Sequence, residues 1–285
     1  MSILVLKFLI YPLITSDYLR IATFSFCLLI FNFKVYEVFS VNKFTGLVRR
    51  CVEDYKMIEE GDKIAVGVSG GKDSVSLLCA LANLRRYYPK RFELHAVTLS
   101  MGYEEMDFSP VAELCGTLGV PFTFRETQLG RLIFEERKEK NPCALCAKMR
   151  RGALHGVVGE LGIKKIALAH HYDDAVETFL LSLLYEGRIT CFQPVTFMSR
   201  TGVAQIRPLL YIGEGTIRSL VNRYHLPVVE NVCPMNGKSK REEVKTLLRS
   251  LSAQYPDLKS KIFGAMQRLP LEGWEPAEYA RRPLP

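Results

Sequence analysis

At 285 residues, 48% hydrophobic and 24% charged, the chain has room for one or two domains with a substantial core, which excludes a miniprotein held together by staples and a disordered tail. The net charge of +8 admits a polyanionic partner but does not separate nucleic acid from a membrane surface. Eight cysteines are too few and too scattered for a small disulfide scaffold, so reduced thiols, some of them ligands, fit better.

The first forty residues differ from the rest. Ile3–Leu6, Phe8–Ile10 and Ile21–Phe31 are apolar and aromatic, with Lys7, Asp17 and Arg20 between them. No uncharged run reaches the roughly 18 residues needed to span a bilayer. Three readings stand side by side: a signal-like or membrane-associating segment, an element packed on the core, or a misread start with the protein beginning at Val41. The expected organisation is an extension over 1–40, a catalytic domain over 41–265 and a tail over 266–285.

From residue 41 the pattern alternates. Phe44–Tyr55 reads as an amphipathic helix, Lys63–Val68 as a strand, and Val75 to about Arg86 as a helix. Phe92–Leu99 is a second strand. A helix from Phe108 to Leu118 has Ser109 as N-cap and Pro110 at its first position. Pro121–Phe124 is a third strand, followed by a basic linker with a cysteine pair and a helix from about Ala147 to Leu161. Lys165–Ala169 is a fourth strand, Asp174–Tyr185 an apolar helix, Gln205–Pro208 a fifth strand and Gly215–Tyr224 a helix. This alternation predicts an α/β fold, a parallel doubly wound sheet with helices on both faces. Ligands in such folds bind beyond the C-terminal strand ends.

Two motifs fall on that edge. Ser69-Gly70-Gly71-Lys72-Asp73-Ser74 forms the turn between the first strand and its helix. The glycines let the backbone approach a phosphate, the helix N-terminus adds partial positive charge, Lys72 a full one, and Asp73 suits magnesium. The spacing is not the Walker form, and the alternative is an ordinary turn with a stray lysine. The second motif, His170-His171-Tyr172-Asp173-Asp174, follows the fourth strand. Asp174 is expected mainly as an N-cap, with Glu177 completing a capping box, while Asp173 faces the site. The histidines are either metal ligands or sheet-end residues bonded to neighbours.

Cys143-Ala144-Leu145-Cys146 is by itself ambiguous between a redox pair, half a zinc site and half an iron–sulfur site. With Cys233, which precedes Pro234, it suggests three thiolates on one metal centre with an open position. Cys51, Cys79, Cys115 and Cys191 read as small buried apolar residues. Arg137, Lys138, Lys140, Lys148, Arg150 and Arg151 surround the pair, and Lys238, Lys240, Arg241 and Lys245 follow Cys233. They form either a rim for a phosphate backbone or a solvated face.

These motifs, in this order, resemble the tRNA 2-thiocytidine synthetases of the PP-loop ATP pyrophosphatase superfamily over about residues 43–265. The resemblance implies ATP and magnesium at Ser69–Ser74, with Lys72, Asp73 and Asp173 catalytic. It implies a 4Fe–4S cluster on Cys143, Cys146 and Cys233, adenylation of O2 of an anticodon-loop cytidine, and displacement of AMP by sulfide. It further implies tRNA as substrate, a sulfur donor such as a cysteine desulfurase, a homodimer and a cytoplasmic location. Three rivals stay open: thiolation of another nucleotide, a lysidine-type ligase with a structural metal, and a non-enzymatic metal-binding RNA adaptor.

Overall fold

The computed structural model describes residues 43–102, 106–137, 142–230, 232–233 and 240–268. The readings made for the extension 1–40, the start at Val41, Lys138, Lys140, Pro234, Lys238 and the tail beyond residue 268 lie outside the described residues.

Helix α1 (Lys43–Asp54) buries Phe44, Val48, Cys51 and Val52, a stripe at helical spacing. Strand β1 (Asp62–Gly67) leads through the glycine turn into α2 (Lys72–Leu84), which is buried on every side from Ser74 to Leu84. Then come β2 (Phe92–Leu99), α3 (Ser109–Thr117), β3 (Phe122–Arg125), a short helical turn (Leu129–Arg131) and a π-helical segment (Leu132–Arg137). Helix α4 (Pro142–Glu160), β4 (Lys165–Ala167), α5 (Tyr172–Glu186), β5 (Val195–Met198) and β6 (Val203–Ile206) follow. Helices α6 (Glu214–Tyr224), α7 (Lys240–Gln254) and α8 (Leu258–Arg268) complete the described chain.

The six strands lie in the order β3-β2-β1-β4-β6-β5. Five are parallel, and β5 runs antiparallel to β6 at the edge. Period-2 alternation sends neighbouring residues to opposite faces. Ile64, Val66, Leu94 and Ala96 join the large cluster containing α1, α2, α3 and α6. Ala65, Val97, Ile166 and Val203 face Val157 and Val158 of α4 in a smaller one. The sheet is thus covered on both faces, unequally. Its strand order reverses between β1 and β4, the switch point where such sheets open a crevice.

Several expected boundaries move. The strand read at 205–208 is β6, ending at Ile206, and β5 pairs with it as a hairpin that the sequence reading did not contain. Ser109 is the first residue of α3 rather than its cap: the Asp107 carboxylate accepts from both the N–H (2.8 Å) and hydroxyl (2.9 Å) of Ser109. α5 begins at Tyr172, two residues early, capped by His171. α4 begins at Pro142, so the cysteine pair lies within its first two turns instead of in a linker. α7 and α8 are additional, and α8 buries Phe263 and Met266.

Candidate active site

The glycine turn is held from inside. Val68 N–H donates to the Val97 carbonyl (2.8 Å), and the Thr98 hydroxyl donates to the Val68 carbonyl (2.7 Å), fixing the end of β1 to β2. The Ser74 hydroxyl donates to the Gly71 carbonyl (2.8 Å) and accepts from Ser69 N–H (3.1 Å), closing the loop on the first turn of α2. Gly70 sits at φ +83°, a left-handed conformation that disfavours a side chain. With α2 starting at Lys72, the N–H groups of its first turn form an anion-binding end.

Around this loop lies a network of charge. Lys72 Nζ stands 3.1 Å from Asp73 Oδ2 and 3.2 Å from Glu214 Oε1. Burial works against both charges. Asp73 and Glu214 nevertheless raise the Lys72 pKa, and Lys72, with Lys245 and Arg218, brings the Glu214 carboxyl down to about 2. His171 Nε2 lies 3.8 Å from Asp73 Oδ1 and 3.4 Å from Asp174 Oδ2. Asp73 Oδ1 is buried and has no hydrogen-bond partner among the described residues, an orphan oxygen of the hard type that magnesium takes.

Asp173 behaves differently from the expectation that it faces the site. It is buried, and it is not part of the cavity wall described below. Its Oδ2 accepts from Glu214 N–H (2.7 Å), and its Oδ1 accepts from Lys259 Nζ (2.6 Å). Asp173 therefore joins α5 to the N-terminus of α6 and to α8, and it positions Glu214. The capping box is also shifted by one turn. His171 Nδ1 accepts from Asp174 N–H (3.4 Å), and the Asp174 carboxylate accepts from His171 N–H (3.0 Å). Glu177, read as the box partner, instead takes Arg241 Nη1 at 3.2 Å, beside the Arg241–Asp174 bond of 3.0 Å.

A cavity of about 360 Å³ opens at the β1/β4 switch point. Ser69, Gly71, Asp73 and Ser74 form one wall; Val97, Leu99 and Leu168 form an apolar one; His170 and Gln205 close the far side. Ala147, Arg150, Arg151 and Leu154 of α4 supply the remainder. His170 is tucked against Phe192 (ring centroids 4.9 Å apart), and burial, reinforced by Arg207, pushes its pKa down to about 4, so the ring is neutral near pH 7. It sits at the sheet end, and its Nδ1 is buried without a hydrogen-bond partner among the described residues.

The same helix carries the thiols. Cys143 is exposed and Cys146 half-buried, one position before the cavity-lining Ala147. Cys146 is raised in pKa, first by burial and further by the nearby thiols of Cys233 and Cys143, while Arg150 pulls it down. The Cys143 and Cys233 thiols are thus both felt at Cys146, while among the described residues no three His, Cys, Asp or Glu side chains stand close enough to hold a metal ion. Soft thiol donors beside a cation suit an iron–sulfur group. Cys51, Cys79 and Cys115 are buried, and burial holds the latter two, with Cys191, at about 12, as inert packing residues. None of the described cysteines is in a disulfide.

The basic residues divide. Arg150 and Arg151 face the cavity. Lys240, Arg241 and Lys245 of α7 each pair with an acid: Glu243 (2.8 Å), Asp174 and Glu177, and Glu242 (3.5 Å). Glu214 escaped the sequence reading because a single glutamate in Gly213-Glu214-Gly215 has no motif; its position just after the last parallel strand was the available signal.

Comparison with known proteins agrees with this fold. Residues 42–249 match the family model of a PP-loop domain. A tRNA-cytidine(32) 2-sulfurtransferase of Pelobacter propionicus is 37% identical over 225 residues, 78% of this chain and 84% of that protein. The enzymes of the same name from Alkalilimnicola ehrlichii (36%; 80% and 73%) and Pasteurella multocida (35%; 82% and 76%) are similar. Among solved structures, the U34-tRNA thiolase NcsA from Methanococcus maripaludis with its [4Fe-4S] cluster superposes with a TM-score of 0.65. It is 23% identical, with 80% of this chain and 79% of that one covered, and it shares the fold.

Proposed function

This chain belongs to the PP-loop family of tRNA-cytidine(32) 2-sulfurtransferases, and we propose from that membership and the site's geometry that it is an ATP-dependent tRNA sulfurtransferase. One observation carries the reading. A single helix, α4, bears Cys143 and Cys146 and, from Ala147 onward, lines the same cavity as the glycine loop, and the thiols of Cys233 and Cys143 act on Cys146.

ATP binds with its base against Val97, Leu99 and Leu168 and its phosphates on Ser69–Ser74. Lys72 and the loop N–H groups, arranged in advance, stabilise charge as the cytidine O2 attacks the α-phosphorus and pyrophosphate leaves. Asp73 would hold magnesium through its orphan Oδ1. Sulfide then displaces AMP from the activated base, leaving 2-thiocytidine. Cys143, Cys146 and Cys233 would hold a 4Fe–4S cluster, which when bound would carry sulfide received from a separate donor. Arg150 and Arg151 meet the RNA backbone, and a loop cytidine enters at lower cost than a paired one.

The reading extends to a cysteine desulfurase as sulfur source, a homodimer and a cytoplasmic setting. Among the described residues no helix is long and apolar enough to cross a membrane. Anaerobic purification tests the centre. A brown protein with about four irons per chain and absorbance near 400 nm is expected. A colourless, zinc-loaded protein would favour a structural site and a ligase.

A further inference from the structure

The arm leading to Cys233 is tied to the glycine loop by main chain. Val229 N–H donates to the Gly70 carbonyl at 3.0 Å. A Cβ on Gly70 would lie 2.8 Å from Val229 Cβ and 3.1 Å from Phe108 Cε1, so the arm passes in direct contact with the loop. Val229 is itself half-buried against the main core, whereas Val228 beside it is 46% exposed. Cys233 follows four residues later.

The peptide plane makes this contact consequential. A trans peptide is rigid, and its C=O and N–H point in opposite directions. Holding the Gly70 carbonyl therefore fixes the direction of the Gly71 N–H, and Gly71 lines the cavity. Any turn of that peptide toward or away from a phosphate must also move or break the bond to Val229.

We infer that Val229 is a positioning residue, which aims the Gly71 N–H at the nucleotide phosphates and couples nucleotide binding to the placement of Cys233. This rests on the ATP-binding reading of the site. Coupling of this kind is reciprocal: what binding does to the arm, the arm does to binding.

The test uses the full chain, purified anaerobically, with a non-hydrolysable ATP analogue and magnesium. Because Cys233 is shielded as a ligand while iron is bound, the chain is first stripped of iron by an anaerobic chelator, and the rate of Cys233 alkylation is then followed by mass spectrometry. The analogue is expected to change that rate about fivefold in the parent and in Val229→Ala, which keeps the N–H. In Val229→Pro, which lacks the N–H, the change is expected to vanish and analogue affinity to fall about tenfold. Hydrogen exchange at the Val229 amide of the parent needs no variant, and its protection should rise with the analogue. Unaltered exchange, a parent whose Cys233 ignores the analogue, or a folded Val229→Pro that binds and responds like the parent would each overturn the coupling. Failure of the parent to bind the analogue at all would overturn the ATP reading, and the coupling with it.

Discussion

Between Asp73 and Glu214, Lys72 sits in a carboxylate pair that a triphosphate must join or displace. Lys72→Ala is expected to lower AMP formation by a factor of about 100 or more while leaving tRNA affinity within about twofold. Unchanged AMP production would remove the glycine loop from the chemistry. Glu214 allows a second prediction, from the sign of its shift. Its carboxyl titrates near 2 in the fold against about 4.3 unfolded, so the stability it contributes is present above pH 4.3 and is lost as pH falls toward 2. Glu214→Gln should therefore flatten the acid limb of the stability curve between those values, by about 2 kcal/mol once the full shift of roughly 3 kcal/mol is discounted for solvent screening, with little change in its slope above pH 5. An acid limb as steep as the parent's would contradict the Lys72–Glu214 pairing. At this scale the loop residues and the three cysteines stood out as candidates because their types repeat a recognisable order. Asp173 was legible as a carboxylate at a strand end, but its actual partners, Glu214 N–H and Lys259, come from helices that no local pattern connects to it.

Helix α5 depends on α7 in a way that only tertiary structure reveals. Glu177 is 3% exposed, and its charge is met by Arg241, which also bonds Asp174 and Thr178. Burial already raises the Glu177 pKa. Removing the arginine leaves a buried carboxylate without its partner, so Arg241→Ala is expected to cost about 3 kcal/mol in denaturant unfolding. Glu177→Gln in the same chain should recover part of that loss; no recovery would mean that the arginine acts through something other than this pair. The parallel strands were readable because each is a short apolar run ended by a turn. The hairpin partner β5 was not, since Val195–Met198 leaves Phe197 68% exposed and lacks the alternation of a half-buried strand. The start of α4 was hidden as well: the helix was read from about Ala147 after a basic linker, although proline in a first helical turn, as Pro142 stands here, is favourable.

At the scale of the whole molecule, the fold places an anion-binding loop, an apolar slot and a thiol-bearing helix around the one place where the strand order reverses. On the proposed function, the +8 charge is expected to favour an RNA partner. tRNA affinity should fall about tenfold or more between roughly 50 and 200 mM salt, and Arg150→Ala with Arg151→Ala should reduce that slope. A flat salt response would leave these arginines to the nucleotide alone. The central claim is that a glycine loop and three thiols act on one substrate across a shared cleft. The direct measurement is nucleoside mass spectrometry of tRNA incubated anaerobically with the purified chain, ATP, magnesium and sulfide. The account predicts 2-thiocytidine in the parent reaction, and none without ATP or with Lys72→Ala or Cys233→Ser. A thiolated product that persists in the Cys233→Ser chain, or AMP formed with no thiolated nucleoside, would contradict it.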